Sequence, residues 1–247
     1  MNDRVYLVTG ATGAVGQALA RRLHHSGATL YLSARDEAKL LPLAQALNAT
    51  PLCLDSTDSQ AIEQAVQTVQ AQAGRLDGLA HCVGSLILKP AHLTKPEEWL
   101  QTLNTNLSSA FYWLRASVRL MEKSGGGSVV FVSSAAARLG IANHEAIGAA
   151  KAGLHGLALS AAATYAPKNI RVNVVAPGLV ESPLTEKLLN SDLARQESIK
   201  KHALNRLGAP EQVASAMAWL LNPEQDWVTG QIIGVDGGLA TLAPRGM

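Results

Sequence analysis

Short apolar runs alternate with longer helical patterns along nearly all of the 247 residues. The runs are Val5–Val8, Ala28–Ser33, Thr50–Leu54, Leu76–Val83, Ser128–Val132, Ile170–Val175 and Gln231–Val235. Between and after them, helices are expected over Ala14–His25, Asp36–Leu47, Asp58–Ala73, Pro96–Lys123, Ile141–Tyr165, Leu184–Leu204 and Pro210–Leu221. A strand apolar throughout must be covered on both faces, and intervening helices make successive strands parallel. The pattern predicts an α/β fold: a doubly wound parallel seven-stranded sheet of the Rossmann type. No linker tract, charge block or internal repeat interrupts it, so a single domain over 1–247 is expected.

Charge and composition narrow the function. The formal net charge is only +2, with Lys and Arg scattered, which gives no case for nucleic acid or an anionic membrane surface. No stretch reaches the roughly 18 apolar residues of a membrane span. Charged Asp3 and Arg4 lead straight into a strand, so no leader peptide is expected. Cys53 and Cys82 sit in apolar runs and are expected to be buried free thiols. No metal site is expected. The reading is a cytoplasmic protein.

In a doubly wound sheet, ligands bind at the carboxyl ends of the strands, so the residues just past each strand matter most. After the first comes Thr9-Gly10-Ala11-Thr12-Gly13-Ala14-Val15-Gly16, a glycine turn opening a helix. Glycines let the backbone approach a ligand, and the helix start offers free N–H groups and a positive dipole end. A dinucleotide pyrophosphate is the usual guest. Thr9, Gly10, Thr12, Gly13, Val15 and Gly16 are therefore candidate cofactor-binding residues. After the second strand, Ala34 stands where an acid would grip the ribose hydroxyls, and Arg35 follows. That favours NADP over NAD; the alternative is a solvated arginine paired with Asp36 or Glu37. Asp55 either accepts from the adenine amino group or caps the next helix, as could Asp58. Gly84 lets the chain pass close to the ribose. Ser133 and Ser134 follow the fifth strand. His144, Ile147, Gly148 and Lys151 share one helical face by spacing; Lys151 is either a site cation or a surface lysine. Pro177, Gly178, Val180 and Ser182 form a turn able to pass over a nicotinamide.

Over essentially its full length the chain resembles the classical short-chain dehydrogenase/reductase family. The matching stretches are Thr9-Gly10 with Gly16, Asn104-Thr105-Asn106-Leu107, Ser134, Lys151, Asn173 through Pro177-Gly178, Arg206 through Glu211, and Thr229 through Gly238. The resemblance implies that Asn106 is the active-site asparagine, that Ser134 orients the substrate, and that Lys151 holds the nicotinamide ribose. It implies that Ser182 contacts the carboxamide and, with Arg35 favouring NADP(H), that the chain is a reductase of a carbonyl or enoyl group on a small-molecule substrate. Members commonly assemble through the fourth and fifth helices, so a dimer or tetramer is expected. Ser182–Asn205 is expected to form a substrate lid, whose Leu184, Leu188, Leu189 and Leu193 line either the substrate or a packing face.

The departures are specific. Ala14 replaces a loop glycine, and His81-Cys82-Val83-Gly84 replaces the usual Asn-Asn-Ala-Gly. The catalytic tyrosine belongs four residues before the lysine and thirteen after the serine, and both counts land on Ile147. His144, two helical turns before Lys151, is the candidate replacement proton donor, against the alternative of a helix-start histidine that merely caps the helix or faces solvent. The competing reading is a dinucleotide-binding protein that does not turn over, acting as a sensor or partner subunit.

Overall fold

The computed structural model describes Met1 and residues 3–243, so residues 2 and 244–247 of the expected domain lie outside the described residues. Seven strands form one parallel sheet: β1 (Val5–Thr9), β2 (Thr29–Ala34), β3 (Thr50–Cys53), β4 (Gly78–His81), β5 (Gly127–Val132), β6 (Ile170–Pro177) and β7 (Ile232–Val235). Their order is β3-β2-β1-β4-β5-β6-β7. The helices are α1 (Ala14–His25), α2 (Glu37–Ala46), α3 (Ser59–Ala73), α4 (Pro96–Leu103), α5 (Ser109–Lys123), α6 (Glu145–Tyr165), α7 (Asp192–Lys201) and α8 (Pro210–Leu221).

Successive side chains of a strand point to opposite faces, and here each face has its own core. Val5 and Leu7 of β1 join Leu79, Val129, Phe131 and Val172 under α3, α5 and α6. Tyr6 and Val8 join Leu30, Leu32, Val130 and Val175 under α1, α2 and α8. Both faces are covered, which is why the strands read as unbroken apolar runs. The edge strands β3 and β7 are the exceptions, β7 having no fully buried residue. In β3 only Leu52 is buried, and Cys53 at its end is exposed, contrary to the expected buried thiol. A strand with one neighbour and a partly uncovered face does not bury every side chain. Cys82, the first residue past β4, is half-buried, and burial pushes its thiol up to about 12.

Three of the expected helices differ in ways that bear on the site. The helix expected over Pro96–Lys123 is interrupted by a π-helical turn at Asn104–Ser108, the segment carrying Asn106. π-Bulges are frequent at functional positions. The helix expected from Ile141 starts at Glu145, because Asn143 is in the left-handed region at φ 63°. The segment expected as helix over Leu184–Leu204 is a short 3₁₀ turn, Glu186–Leu189, followed by α7. The small residues Ala158, Ala161 and Ala162 of α6 are buried within the chain itself, while Leu159 and Phe111 stay exposed.

Candidate active site

Strand order reverses between β1 and β4, so the connections diverge there and leave a crevice at the carboxyl ends. The glycine turn lies at that point. Gly10 has φ 65°, and a Cβ there would stand 2.8 Å from backbone atoms of Cys82 and Val83. A Cβ on Gly16 would stand 2.4 Å from the Gly10 carbonyl oxygen. Packing of the turn on itself and on β4 thus demands both glycines. The consequence is electrostatic. Helix α1 begins at Ala14, its N-cap Gly13 gives no side-chain cap, and its first turn holds no acid. The Gln17 amide is the first to bond back into the helix, to Gly13. The amides of Ala14, Val15 and Gly16 have no intrahelical acceptor and lie at the positive dipole end, which fits an anionic phosphate.

Past β2, Ala34 is buried and Arg35 exposed. Asp36 caps α2 by accepting from the Lys39 amide and pairs with the Lys39 ammonium at 3.1 Å. Asp36 is thus committed to Lys39, and Glu37 makes no ion pair, so among the described residues neither neighbour holds Arg35. Past β3, Asp55 accepts from the Thr57 amide and hydroxyl, both at 2.8 Å, and Asp58 caps α3. The Thr57 bonds, and then the charge of Arg35, hold the Asp55 carboxyl below the usual range.

Past β4 and β5 two polar groups converge, and Ser134 follows β5. Lys151 on α6 is buried, and its Nζ donates to the Val132 carbonyl at the end of β5, 2.9 Å away. Asn106 is fully buried; its Nδ2 donates to Thr102 O and Ser85 Oγ, and its Oδ1 accepts from the Ser85 amide. A Cβ on Gly84 would lie 3.3 Å from Asn106 Oδ1 and 3.4 Å from Lys151 Nζ, so both side chains approach the same backbone position. Burial pulls the Lys151 pKa down to about 8. Ser134 caps the short turn Ala135–Ala137, its Oγ accepting from the Ala136 amide at 3.2 Å. Its hydroxyl hydrogen stays free to donate to a ligand oxygen. The neighbouring Ser133 is structural: it donates to the Lys151 carbonyl and pairs with His155 Nε2.

Ile147 lies one turn before Lys151 and is only 3% exposed. His144 is the N-cap of α6, not part of it, so the shared-face argument from helical spacing does not apply. Its Nδ1 pairs with the Ala142 carbonyl at 2.8 Å, and no recorded hydrogen bond joins it to Ser134, Asn106 or Lys151. The phenols lie elsewhere. Tyr6 and Tyr112 pack with the two cores, the Tyr31 hydroxyl donates to Gln72, and Tyr165 ends α6.

Past β6, Pro177 is buried and Gly178 donates to the Val235 carbonyl. Val180 bridges Gly208, and the Ser182 hydroxyl pairs with Thr185 Oγ1 at 3.1 Å. Two histidines that sequence reasoning did not assign tie these pieces together. His81 Nδ1 accepts from the Thr9 hydroxyl at 2.8 Å, and its Nε2 donates to Ser109 Oγ at 3.1 Å. Ser109 in turn donates to the Thr105 carbonyl, beside Asn106. Burial, with the charge of Lys151, pulls the His81 pKa down to about 3, so the ring is neutral. The second, His202, bridges Leu179 and Ser198. For His81 the only sequence signal was a polar residue where the resemblance expects an asparagine.

Comparison with known proteins agrees with this fold. Residues 10–240 match the family described as enoyl-(acyl carrier protein) reductase. The chain is 36% identical over 246 residues to a 3-oxoacyl-[acyl-carrier-protein] reductase of Thermotoga maritima, covering 97% of this chain and 98% of that protein. It is 33% identical over 238 residues to a tropinone reductase homolog of Arabidopsis thaliana, covering 94% and 90% respectively. A solved short-chain type dehydrogenase/reductase from Mycobacterium ulcerans superposes with a TM-score of 0.95 at 32% identity, over 99% of this chain and 92% of that one.

Proposed function

The chain belongs to the short-chain dehydrogenase/reductase family of oxidoreductases, and on that premise we propose that it is an NADPH-dependent reductase of a carbonyl or enoyl group on a small molecule. The observation that carries this reading is the convergence of Lys151 Nζ and Asn106 Oδ1 on Gly84 at the carboxyl edge of the sheet. A buried ammonium in that place costs free energy and is kept where it has work to do.

Thr9, Gly10, Thr12, Gly13, Val15 and Gly16 would hold the pyrophosphate on the start of α1. Arg35, without a carboxylate partner, would take the 2′-phosphate, Asp55 the adenine, Gly84 and Lys151 the nicotinamide ribose, and the turn Pro177, Gly178, Val180 and Ser182 the carboxamide. NADPH supplies the hydride when bound. Ser134 donates its hydroxyl hydrogen to the substrate oxygen and orients it. Because Ile147 offers no proton, another group must supply one. Lys151 Nζ is the better placed donor: a pKa of about 8 suits proton transfer near neutrality, and Val132 O steadies the amine. His144 Nε2 is the second candidate, since its Nδ1 is already tied to the Ala142 carbonyl. Residues 182–205, containing α7, would cover the substrate. A homodimer or homotetramer would use the exposed Phe111 and Leu159; a monomer by light scattering at micromolar concentration would refute it.

A second reading has its own support: Ile147 packs tightly where a phenol would stand, which suits a protein that binds NADPH without turnover. NADPH oxidation against a panel of carbonyl and enoyl substrates separates the two. Turnover by the wild type, lost on Lys151→Met and kept on His144→Ala, supports the reductase with Lys151 as donor. A silent wild type that binds NADPH and gains turnover as Ile147→Tyr supports the second reading, the gain reaching about 10²-fold or more above background.

A further inference from the structure

His202 follows the last residue of α7 and is 4% exposed. Its Nε2 lies 3.1 Å from the Leu179 amide, which can only donate, so Nε2 is the unprotonated nitrogen. Its Nδ1 therefore carries the hydrogen and donates to the Ser198 carbonyl in the last turns of α7, 2.8 Å away. The ring lies between two glycines. A Cβ on Gly178 would stand 2.9 Å from Nε2, and one on Gly237 3.6 Å from the ring's Cδ2. One imidazole thus touches the turn after β6, the lid helix and the turn after β7. The pocket beside it, about 450 Å³, also receives Arg206 and Asp236. Both of those charges are committed elsewhere: Arg206 to the Leu207 carbonyl and Gln212, Asp236 to the amides of Gly238 and Ala240. The mechanism above uses none of these groups, and no apolar residue at position 202 would satisfy the Leu179 amide.

We propose that His202 is a positioning residue that latches the lid helix α7 to the Gly178–Val180 turn, so that ordering of the turn by cofactor and ordering of the lid are coupled. The latch is a donor and an acceptor held at fixed separation on a rigid ring. It works only in the neutral tautomer with hydrogen on Nδ1, because a second proton would set a donor against the Leu179 amide. The functional half of the proposal rests on the reading of this turn as the nicotinamide cover; the mechanical half does not.

The test is hydrogen exchange, read by mass spectrometry on the intact chain with and without NADPH, for wild type and for His202→Gln, His202→Asn and His202→Leu. Gln places an acceptor at the reach of Nε2, whereas Asn reproduces only the Nδ1 donor. Without ligand, exchange in α7 and in residues 178–185 should accelerate about tenfold in His202→Leu, and residues 178–185 should stay protected in His202→Gln but not in His202→Asn. With NADPH, wild type should gain protection in both segments, and His202→Leu in residues 178–185 alone, with a raised KM for NADPH and little change in kcat. Wild-type exchange in His202→Leu overturns the latch. If that variant does not fold, equal exchange in His202→Gln and His202→Asn overturns it. Failure of wild type to bind NADPH overturns the cofactor reading instead, and the ligand-free comparison still decides the latch.

Discussion

Two buried polar clusters sit side by side at the carboxyl edge of the sheet, and they are built on opposite principles. Around His81 every group has its partner: Thr9 gives to Nδ1, Nε2 gives to Ser109, and Ser109 gives to Thr105. Around Lys151 the ammonium has three hydrogens and, among the described residues, one recorded acceptor, Val132 O. A fully satisfied buried network fixes geometry. A buried charge left partly unsatisfied costs stability and is held available for something else. The first cluster is framework, joining β1, β4 and the π-turn; the second is the proposed reaction site. Their titrations point the same way in separate windows. The folded pKa is depressed for both, so the unfolded chain binds more protons and stability rises with pH, for His81 between about 3 and 6.5 and for Lys151 between about 8 and 10.5.

The contrast breaks most decisively at Lys151. Lys151→Met should lower kcat/KM about 10²–10⁴-fold while leaving the fold intact or stabilising it by about 1–3 kcal/mol, measured by steady-state kinetics and urea unfolding. Unchanged turnover, or a clear loss of stability, would make Lys151 framework as well. His81→Leu should do the reverse. The Thr9 hydroxyl loses its acceptor, and unfolding free energy should fall by about 1–3 kcal/mol. In the wild type, lowering the pH from 7 to 5 should remove about 2 kcal/mol of stability as the unfolded chain binds the proton His81 refuses, and His81→Leu should flatten that slope. A third expectation concerns the reaction alone. With Lys151 as the acid, kcat/KM for reduction should fall about tenfold per pH unit above about 8, as the ammonium is lost. A profile flat to pH 10 would remove Lys151 from that role. The smallest effect is at the rim. Arg35→Ala should weaken NADPH about tenfold and NADH little, by fluorescence titration. Equal effects on both would return Arg35 to the solvated surface.

Part of the proposed site could be read from the chain because the glycine turn, Arg35 and Ser134 follow strands that local pattern reveals. Lys151 was singled out by small apolar neighbours, and the structure buries it. Asn106 came from the resemblance, and its π-turn did not, because an inserted residue in a helix leaves the apolar spacing nearly unchanged over so short a span. His144 was placed by helical spacing on a helix that begins one residue after it; a positive φ at Asn143 is decided by the loop, not by periodicity. Cys53 was expected inside because its run is apolar, but an edge position belongs to the sheet order and is invisible along the chain.

The sequence by itself determined the strand and helix succession, the glycine turn on α1, and the positions of Ser134 past the fifth strand and of Lys151 on the helix that follows. These follow from the period of apolar residues and from backbone limits that act within a few positions. Only the tertiary structure decided what the histidines do. Thr9 and His81 are 72 residues apart and become neighbours because β1 and β4 pair in that register. His202 reaches Leu179 across 23 residues only because α7 folds back beneath the turn. A hydrogen bond needs two groups aligned within tenths of an ångström, and that alignment is a property of the assembled sheet rather than of any stretch of chain.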